Sequence, residues 1–478
     1  MKLFGIRAVD AETGRGVPLT ELETTDRAVT VTDSNGWAAI TDPALMDREV
    51  WFSVRSQGYA FPKDGFGFSG LRLKVTDGGR TVVKLRRVNI AERLCRLTGG
   101  GIYSDSVLLG ESTPLRDPLR PGSVFGQDSA MALPFRGRLL WFWGDTNRIE
   151  YPLGNFRTSG AVATFPAGET TAERGLDFAY FTGEDGFARA LCPTDQPGPV
   201  WISGLTTLRE GNEEMLLAHY ARMKDLGTRR EHGYVLWDDV RNVFRFTNKL
   251  SLSETWRFLD GHPISWTENG IGYRAGGFCF PHVRVPARRT AVLQPSAYEG
   301  FTCLTADGRV RRDGRGRAVY GWQKVAPPLT ARTEAGLLKA KQLRPEEVRF
   351  LPRDSAGGVV VTHGGSVTWN PWRRRWILIA TQYFGKSSPL GEIWYSEADS
   401  PIGPWRRAVK IVTHERFTFY NPVHHPFLDT DGGRRIFFEG TYTQTFSSAP
   451  SPTPRYDYNQ ILYRLDLADP RLRFAQTA

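Results

Sequence analysis

The chain has 478 residues and is rich in residues typical of short strands and tight turns, with 14 Trp, 16 Tyr, 28 Phe, 50 Gly and 30 Pro. This composition predicts an all-β protein and argues against a fold built from long helices. The net charge of +11 favours an anionic partner such as an acidic polysaccharide, or reflects a generally basic surface. Because the basic residues are dispersed among predicted turns, we expect no nucleic-acid partner.

The cysteines and the hydropathy pattern add further bounds. Cys95, Cys192, Cys279 and Cys303 have no CxxC spacing, so they predict neither a zinc motif nor a disulfide framework. No apolar run is long enough to span a membrane. The first residues, Met1–Arg7, lack the apolar segment of a signal peptide. We therefore expect either an intracellular protein or, if a leader has been removed, a secreted or periplasmic one.

Residues 1–90 are predicted to form a separate small β-sandwich. Its predicted strands are Leu3–Ala8, Val29–Thr32, Trp37–Ile40, Val50–Val54 and Thr81–Leu85. The segment resembles transthyretin-like, carboxypeptidase-regulatory β-sandwiches in Val9-Asp10-Ala-Glu-Thr13-Gly14, Thr32-Asp33-Ser-Asn35-Gly36 and Gly58-Tyr59. The resemblance implies an accessory module, and the segment shows no cluster of acids or histidines. We expect residues 91–122 to be a linker that makes the first contacts with a larger domain, residues 123–478.

Two carboxylates flank one predicted hairpin at the start of that larger domain. Strand-like runs on either side of Gly137 place Asp128 nine residues before the turn and Asp145 eight residues after it. Their Cβ atoms should therefore lie roughly 4.5–8 Å apart at the open end of the hairpin. Like charges at that distance shift each other's pKa and often mark a catalytic or metal site. The alternative is two surface acids at a strand end.

The hairpin is the first of five similar units, whose starts recur every ~60–80 residues. Each unit has a strand, a tight turn and an aromatic-rich returning strand, and leaves room for two further strands. The first strands are predicted to begin near Asp128, Ser203, His282, His363 and His424. Five units of four strands predict a five-bladed β-propeller. A segment with helical spacing, 333–349, and a helix-start signal at Pro345 should decorate it.

The fourth unit contains Ser400-Pro401-Ile-Gly403-Pro404-Trp405, which resembles the blade signature of five-bladed propeller glycosidases of the arabinanase and β-fructosidase type. Within that group, Phe125-Gly-Gln-Asp128 and Trp143-Gly-Asp145-Thr146 look most like endo-D-arabinanases. The resemblance spans about residues 123–467. It implies that acids on inner strands line a central funnel, with Asp128 and Asp145 as the catalytic candidates.

Further candidate residues come from the other units. Glu439 is the best additional catalytic acid, because an acid at that position is hard to bury unless it is paired; a structural salt bridge is the alternative. His282, His363 and His424 fall near predicted inner-strand starts and could bind sugar hydroxyls, act as bases or hold a central metal ion. The remaining candidate substrate-binding residues are Tyr220, Arg148, Arg222, Glu299 and Tyr383.

Three functions fit these residues. The leading one is a glycoside hydrolase that cleaves an arabinan-like or acidic polysaccharide with a carboxylate pair. The second is a polysaccharide lyase that acts on a uronic-acid polymer, with Tyr220, His282 or His363 as base and Arg222 to neutralise the uronate. The third is a non-catalytic carbohydrate-binding propeller. The expected partner is a polysaccharide or oligosaccharide. No cofactor is required, although a structural or central ion such as calcium is compatible with the fold.

Overall fold

The computed structural model describes residues 3–476, apart from the side chains of Leu153 and Asn155. The ends of the two expected domains, residues 1–2 and 477–478, lie outside the described residues. The fold is all-β, as predicted. None of the helices within residues 3–476 has the length and apolar character needed to cross a membrane.

The N-terminal segment folds into two facing four-stranded sheets. Its strands are β1 (Phe4–Asp10), β2 (Thr20–Glu23), β3 (Val29–Val31), β4 (Trp37–Ile40), β5 (Glu49–Ser56), β6 (Tyr59–Ala60), β7 (Gly70–Lys74) and β8 (Arg80–Arg87). One sheet has the order β4-β1-β8-β6 and the other β3-β2-β5-β7. Alternate residues of β5, including Phe52 and Val54, are buried between the sheets. This period of two is what a strand covered on one face requires. The β-sandwich prediction is confirmed, and the transthyretin-like resemblance stays a prediction.

The segment 91–122 does more than link two domains. It contains strand β9 (Glu92–Arg96) and a short helix α1 (Ser104–Leu109). Strand β9 is fully buried and pairs with the last strand of the propeller. The ring of sheets is therefore closed by a strand that precedes all the others of the propeller in sequence. Closure of this kind protects the edges that open sheets would expose.

Five antiparallel sheets follow, which we call blades 1 to 5. The strands between residues 124 and 180 are β10 (Val124–Gln127), β11 (Met131–Phe135), β12 (Arg138–Trp143), β13 (Thr146–Arg148), β14 (Tyr151–Asn155), β15 (Ser159–Thr164) and β16 (Asp177–Tyr180). Blade 1 has the order β11-β12-β15-β16, and β10-β13-β14 form a small separate sheet. Blade 2 consists of β17 (Val200–Glu210), β18 (Glu213–Met223), β19 (Arg229–Asp238) and β20 (Val243–Leu250).

Blades 3 to 5 complete the ring. Blade 3 has five strands: β21 (Ile264–Glu268), β22 (Ile271–Gly276), β23 (Val283–Pro286), β24 (Glu299–Thr302) and β25 (Gly321–Gln323). Blade 4 has β26 (Thr362–Asn370), β27 (Arg375–Gln382), β28 (Glu392–Ala398) and β29 (Ala408–Thr413). Blade 5 has β30 (Thr418–His424), β31 (Arg435–Thr443), β32 (Asn459–Asp466) and then β9. The remaining α-helices of the described residues are α2 (Arg289–Val292), α3 (Ala331–Lys339) and α4 (Arg473–Gln476).

The first strand of each blade faces the central axis. Residues of β11, β17, β21, β26 and β30 together line one cavity of about 370 Å³, the axial cavity. Five inner strands around one channel confirm the predicted five-bladed propeller. Four of the five predicted hairpins also hold. Ser203 was expected opposite His219-Tyr220 and pairs with His219, whereas His363 was expected opposite Thr381-Gln382 and its neighbour Thr362 pairs with Gln382.

The predicted third hairpin is wrong. The inner strand of blade 3 is β21, which turns at Asn269-Gly270 into β22, whereas His282 precedes the third strand of that blade. Asn-Gly between two strands is a strong hairpin signal. Strand β21 was not predicted, because its sequence, Ile-Ser-Trp-Thr-Glu, is about half polar and is partly exposed. The helix-start signal at Pro345 is also wrong, since α3 begins after Thr330 and ends at Lys339.

Candidate active site

Asp128 and Asp145 lie where the first hairpin ribbon passes from one sheet to another. Asp128 separates β10 from β11, and Asp145 separates β12 from β13. The backbone amide of Asp145 donates to Oδ1 of Asp128 at 2.9 Å, and the amide of Gly144 donates to the Asp128 carbonyl at 2.9 Å. The structure thus brings together the two carboxylates that the hairpin geometry predicted.

The Asp128 carboxylate is surrounded by hydrogen-bond donors. The Tyr420 hydroxyl donates to Oδ2 at 2.8 Å, and the neighbouring side chains of Tyr458 and Ser129 add polar interactions that lower the pKa of this carboxyl group. Burial raises the pKa of Asp128, and these hydrogen bonds oppose the rise because they stabilise the ionised form. Several donors directed at one carboxyl group favour an anion at this position.

Asp145 is held differently from its neighbour. Its side chain is buried, and Nε1 of Trp201 donates to Oδ1 at 2.7 Å. Burial and, second, the negative charge of Asp128 raise the pKa of Asp145 to about 7. The Trp201 hydrogen bond opposes this rise. One carboxyl group of the pair is therefore set up to carry a proton near neutral pH while the other is ionised.

Both carboxylates line a cavity of about 790 Å³ at one mouth of the propeller, the main cavity. Its lining includes a third carboxylate, Asp260, and three imidazoles, His219, His262 and His363. Six aromatic residues also contribute to the wall: Trp201, Phe258, Phe278, Tyr420, Phe446 and Tyr458. Within residues 3–476, the only basic side chain of the lining other than the imidazoles is Arg229. Acids together with aromatic faces are the chemistry that a sugar-binding cleft requires.

Asp260 stands on the part of the wall between blades 2 and 3. Its Oδ1 accepts hydrogen bonds from the Ser203 hydroxyl and, at 2.8 Å, from the Gly261 amide. Ser203 and Trp201 are two residues apart on β17, and each is less buried than Ile202 between them. Alternate strand residues share a face at a spacing of about 6.6–6.8 Å. Asp145 and Asp260 are thus anchored at neighbouring points of one strand face.

The three predicted histidines occupy three different environments. His363 lines the main cavity, and its ring meets those of Phe278 and Tyr383 edge-on at 5.0 and 4.6 Å. Burial lowers the pKa of His363, which favours the neutral ring. His282 is buried behind Gly277 outside the main-cavity lining, where burial lowers its pKa to about 4. His424 lines the axial cavity.

The side chains of His424 and Glu439 are both hydrogen-bonded to other residues of the protein. His424 bonds the Thr368 hydroxyl at 2.6 Å and the carboxylate of Asp429 at 2.9 Å. Glu439 has no exposed surface, and its Oε1 accepts from Nε1 of Trp141 at 2.8 Å and bonds Nε2 of His425 at 2.7 Å. The structure places Glu439 in the core between blades 5 and 1, so it does not share the main cavity with the pair.

The other predicted substrate-binding residues also lie outside the main-cavity lining. Arg222 pairs with Glu231 at 3.0 Å, and the Tyr220 hydroxyl points to the same carboxylate at 3.5 Å. Arg148 pairs with Glu150 at 2.8 Å, and Glu299 pairs with Arg284 at 2.8 Å. Tyr383 reaches the cavity only through its contact with His363. The described residues contain no group of three or more potential ligands arranged to hold a metal ion.

Sequence reasoning missed four cavity residues that contact the carboxylates or add one. They are Asp260, Trp201, Tyr420 and Tyr458. Ser203, which bonds Asp260, was predicted only as an inner-strand start. A signal for Asp260 was present, because Asp260-Gly-His262-Pro immediately precedes the overlooked β21–β22 hairpin. Tyr420 and Tyr458 come from blade 5, which is far from Asp128 in sequence. Only closure of the ring brings them to it.

Comparison with known proteins gives fold similarity at low sequence identity. A putative hydrolase from Bacteroides ovatus matches with a TM-score of 0.41 and 12% identity, over 72% of this chain and 86% of that one. An endo-arabinase from Bacteroides thetaiotaomicron matches with a TM-score of 0.33 and 12% identity, over 73% of this chain and 98% of that one. A GH43_1 enzyme from Xanthomonas citri, solved with xylotriose, matches with a TM-score of 0.33 and 12% identity, over 71% and 86%.

No protein-family profile matches the chain. No curated protein matches it either. Because these TM-scores are low, we infer the function of the main cavity from its own geometry and not from the similar structures.

Proposed function

We propose that this protein is a glycoside hydrolase that cleaves a neutral polysaccharide in its main cavity, with Asp145 as the general acid. The observation that carries the proposal is the pair itself. Asp145 is buried beside a hydrogen-bonded Asp128, and its pKa is raised to about 7. Glycosidic cleavage needs one carboxyl group that is protonated at the working pH and a second that is ionised.

Asp260 is the second carboxylate of the proposed reaction. Asp145 would protonate the glycosidic oxygen as the bond to the anomeric carbon breaks. Asp260 would take a proton from a water molecule that attacks the opposite face of the sugar. The anchoring of Asp145 and Asp260 at Trp201 and Ser203 supports this division, because inverting hydrolases separate their carboxyl groups by about 6.5–9.5 Å to admit that water.

Asp128 then acts on Asp145 rather than on the sugar. Both of its carboxylate oxygens accept hydrogen bonds, from the Asp145 amide and the Tyr420 hydroxyl. Its negative charge contributes to the high pKa of Asp145. The alternative role, a nucleophile, requires an oxygen free to attack and would lead to retention of configuration.

The charge of the cavity favours a neutral substrate. Three carboxylates and, among the described lining residues, one arginine leave little to neutralise a uronate. The residues that a lyase reaction would use are also not gathered in the cavity. Tyr220, the candidate base, and Arg222, the candidate partner of the uronate, both bond Glu231 away from it. Among neutral polymers an arabinan is the first candidate, because the sequences around Asp128 and Asp145 resemble those of endo-D-arabinanases.

A substrate screen tests the proposal. Purified protein is incubated with neutral arabinans, galactans and xylans and with acidic polymers, and both new reducing ends and the ultraviolet absorbance of unsaturated uronides are measured. We expect reducing ends from a neutral polymer and no unsaturated product. Asp145→Asn and Asp260→Asn should each lower kcat by about 10²–10⁴-fold. Glu299→Gln, a carboxylate paired with Arg284 outside the cavity, is the matched control and should leave kcat unchanged.

Two outcomes would contradict the proposal. An unsaturated product from an acidic polymer would make the protein a lyase. Binding of a polysaccharide without any cleavage over the whole panel would make it a carbohydrate-binding propeller.

A further inference from the structure

The loop 444–458, which joins β31 to β32, carries Tyr458 into the active site. Tyr458 lines the main cavity beside Asp128, and the polar interaction of its side chain with the Asp128 carboxylate opposes the rise in the pKa of that group. Its carbonyl accepts from the Gln127 amide at 2.7 Å. The backbone φ of Tyr458 is +61°, in the left-handed region. A bulky residue remains in that region only where its surroundings hold it.

One support for this loop comes from the N-terminal β-sandwich. Tyr456 is 1% exposed, and its hydroxyl donates to the backbone carbonyl of Thr32 at 2.6 Å. The guanidinium of Arg96 lies 5.0 Å from the centre of the Tyr456 ring and donates to the carbonyl of Arg455. The residue two positions before Tyr458 is therefore fixed between the sandwich and strand β9.

A second support begins at Gln57, between β5 and β6 of the sandwich. Nε2 of Gln57 donates to the Tyr442 hydroxyl at 2.8 Å, and that hydroxyl bonds the Thr453 side chain at 2.9 Å. The carbonyl of Thr453 accepts from the amides of Tyr456 and Asp457 at 3.2 and 3.1 Å. The turn that precedes Tyr458 is therefore anchored to the sandwich at both of its ends.

We propose that the sandwich is an integral part of the active site, and that Tyr456 is a positioning residue that holds Tyr458 against Asp128. The inference rests on the proposed function of the main cavity. It differs from the accessory role that the sequence resemblance implies. The sandwich contributes no group that touches substrate. It fixes a hydrogen-bond donor to the carboxylate that tunes the general acid.

A double-mutant cycle between Tyr456 and Tyr458 tests this proposal. Tyr458→Phe removes one donor to Asp128, which should raise the Asp128 pKa and lower kcat by roughly 2- to 13-fold. Tyr456→Phe and, from the sandwich side, Gln57→Leu should produce the same changes more weakly. Because they act through Tyr458, adding either to Tyr458→Phe should cause almost no further loss.

The matched control is Tyr103→Phe. Tyr103 is also 1% exposed and donates one hydrogen bond to a backbone carbonyl, that of Arg174 at 2.7 Å. It should leave kcat and the Asp128 pKa unchanged, because its hydroxyl bonds Arg174, which lies outside the loop 444–458. Additive effects of Tyr456→Phe and Tyr458→Phe, or an equal effect of Tyr103→Phe, would overturn the positioning role.

A readout without substrate separates this inference from the proposed function. The carboxyl carbon of Asp128 is titrated by NMR in protein labelled with carbon-13 at aspartate, and its signal is assigned with Asp128→Asn. Tyr456→Phe and Tyr458→Phe should both raise the Asp128 pKa even if no polysaccharide is cleaved. An unchanged Asp128 titration in Tyr456→Phe would refute the inference while leaving hydrolysis by the wild-type protein unaffected.

Discussion

Replacing Asp145 by Asn should stabilise the folded protein at alkaline pH while removing activity. In the folded state burial and the charge of Asp128 raise the pKa of Asp145 from 3.8 to about 7. Below pH 3.8 the group is protonated in both states and costs nothing. Between the two values the unfolded chain releases the proton while the folded protein keeps it, so the stability of the wild type falls as pH rises.

The size of the effect follows from the same two values. Each pH unit between them contributes about 1.4 kcal/mol, so the loss reaches about 4 kcal/mol once the pH exceeds 7. Asn carries no charge and still offers an oxygen to Nε1 of Trp201. The difference in unfolding free energy between variant and wild type should therefore grow from pH 4 to pH 7 and then level off.

Urea unfolding of both proteins at several pH values, followed by tryptophan fluorescence, measures this difference without any substrate. Asp238→Asn is the control. A hydrogen bond from the Arg241 amide lowers the pKa of Asp238 from its usual 3.8, so the stability that this carboxylate contributes is lost only below about pH 4, and the difference between this variant and wild type should stay constant from pH 4 to pH 8. A difference for Asp145→Asn that stays flat from pH 4 to pH 8 would refute the electrostatic description of the pair.

Three further predictions concern two neighbours of Asp145 and, for contrast, the core residue Glu439. In a pH–rate profile, the kcat of the wild type should fall as pH rises through about 7, because Asp145 loses the proton that a general acid needs; we call this fall the alkaline limb. Asp128→Asn removes the negative charge that raises the pKa of Asp145, so it should move the alkaline limb to lower pH. Trp201→Phe removes the donor that favours ionised Asp145, so the same limb should move to higher pH. Glu439→Ala leaves the donors of Trp141 and His425 unpaired, and should lower the unfolding free energy by about 1–3 kcal/mol in urea without moving the limb.

The sequence was sufficient to predict that Asp128 and Asp145 lie together, because the position of a hairpin turn determines which residues of its two strands face each other. A turn at Gly137 brings Asp128 and Asp145 together whatever the rest of the fold does. The same reasoning predicted the five-bladed ring from four correct hairpins. It failed in blade 3, where a half-polar strand hid the Asn269-Gly270 turn.

The placement of Glu439 shows the limit of this reasoning. The turn of blade 5 predicts His424 and His425 opposite Glu439, whereas the structure pairs Val423 with Glu439 and His424 with Phe438. A slip of one residue exchanges the two faces of a strand. Glu439 is also the fifth residue of β31, and side chains in the middle of a blade strand face the neighbouring blades, as Trp141 and His425 show. The three carboxylates of the main cavity, Asp128, Asp145 and Asp260, come instead from the connections between strands.

Contacts between distant parts of the chain could not be predicted at all. Tyr458 reaches Asp128 because strand β9 closes the ring, and it is held there by Tyr456 and the sandwich. Asp260 meets β17 through Ser203, a residue of another blade. Local patterns carry no information about such neighbours, since ring closure determines them.

The stereochemistry of cleavage tests the central claim most directly. Proton NMR of the wild-type reaction on its polysaccharide, recorded before the product mutarotates, identifies the anomer that is formed first. If Asp145 protonates the leaving group and Asp260 activates water on the other face of the sugar, the first product has inverted configuration. A first product with retained configuration would contradict this assignment and make Asp128 the nucleophile.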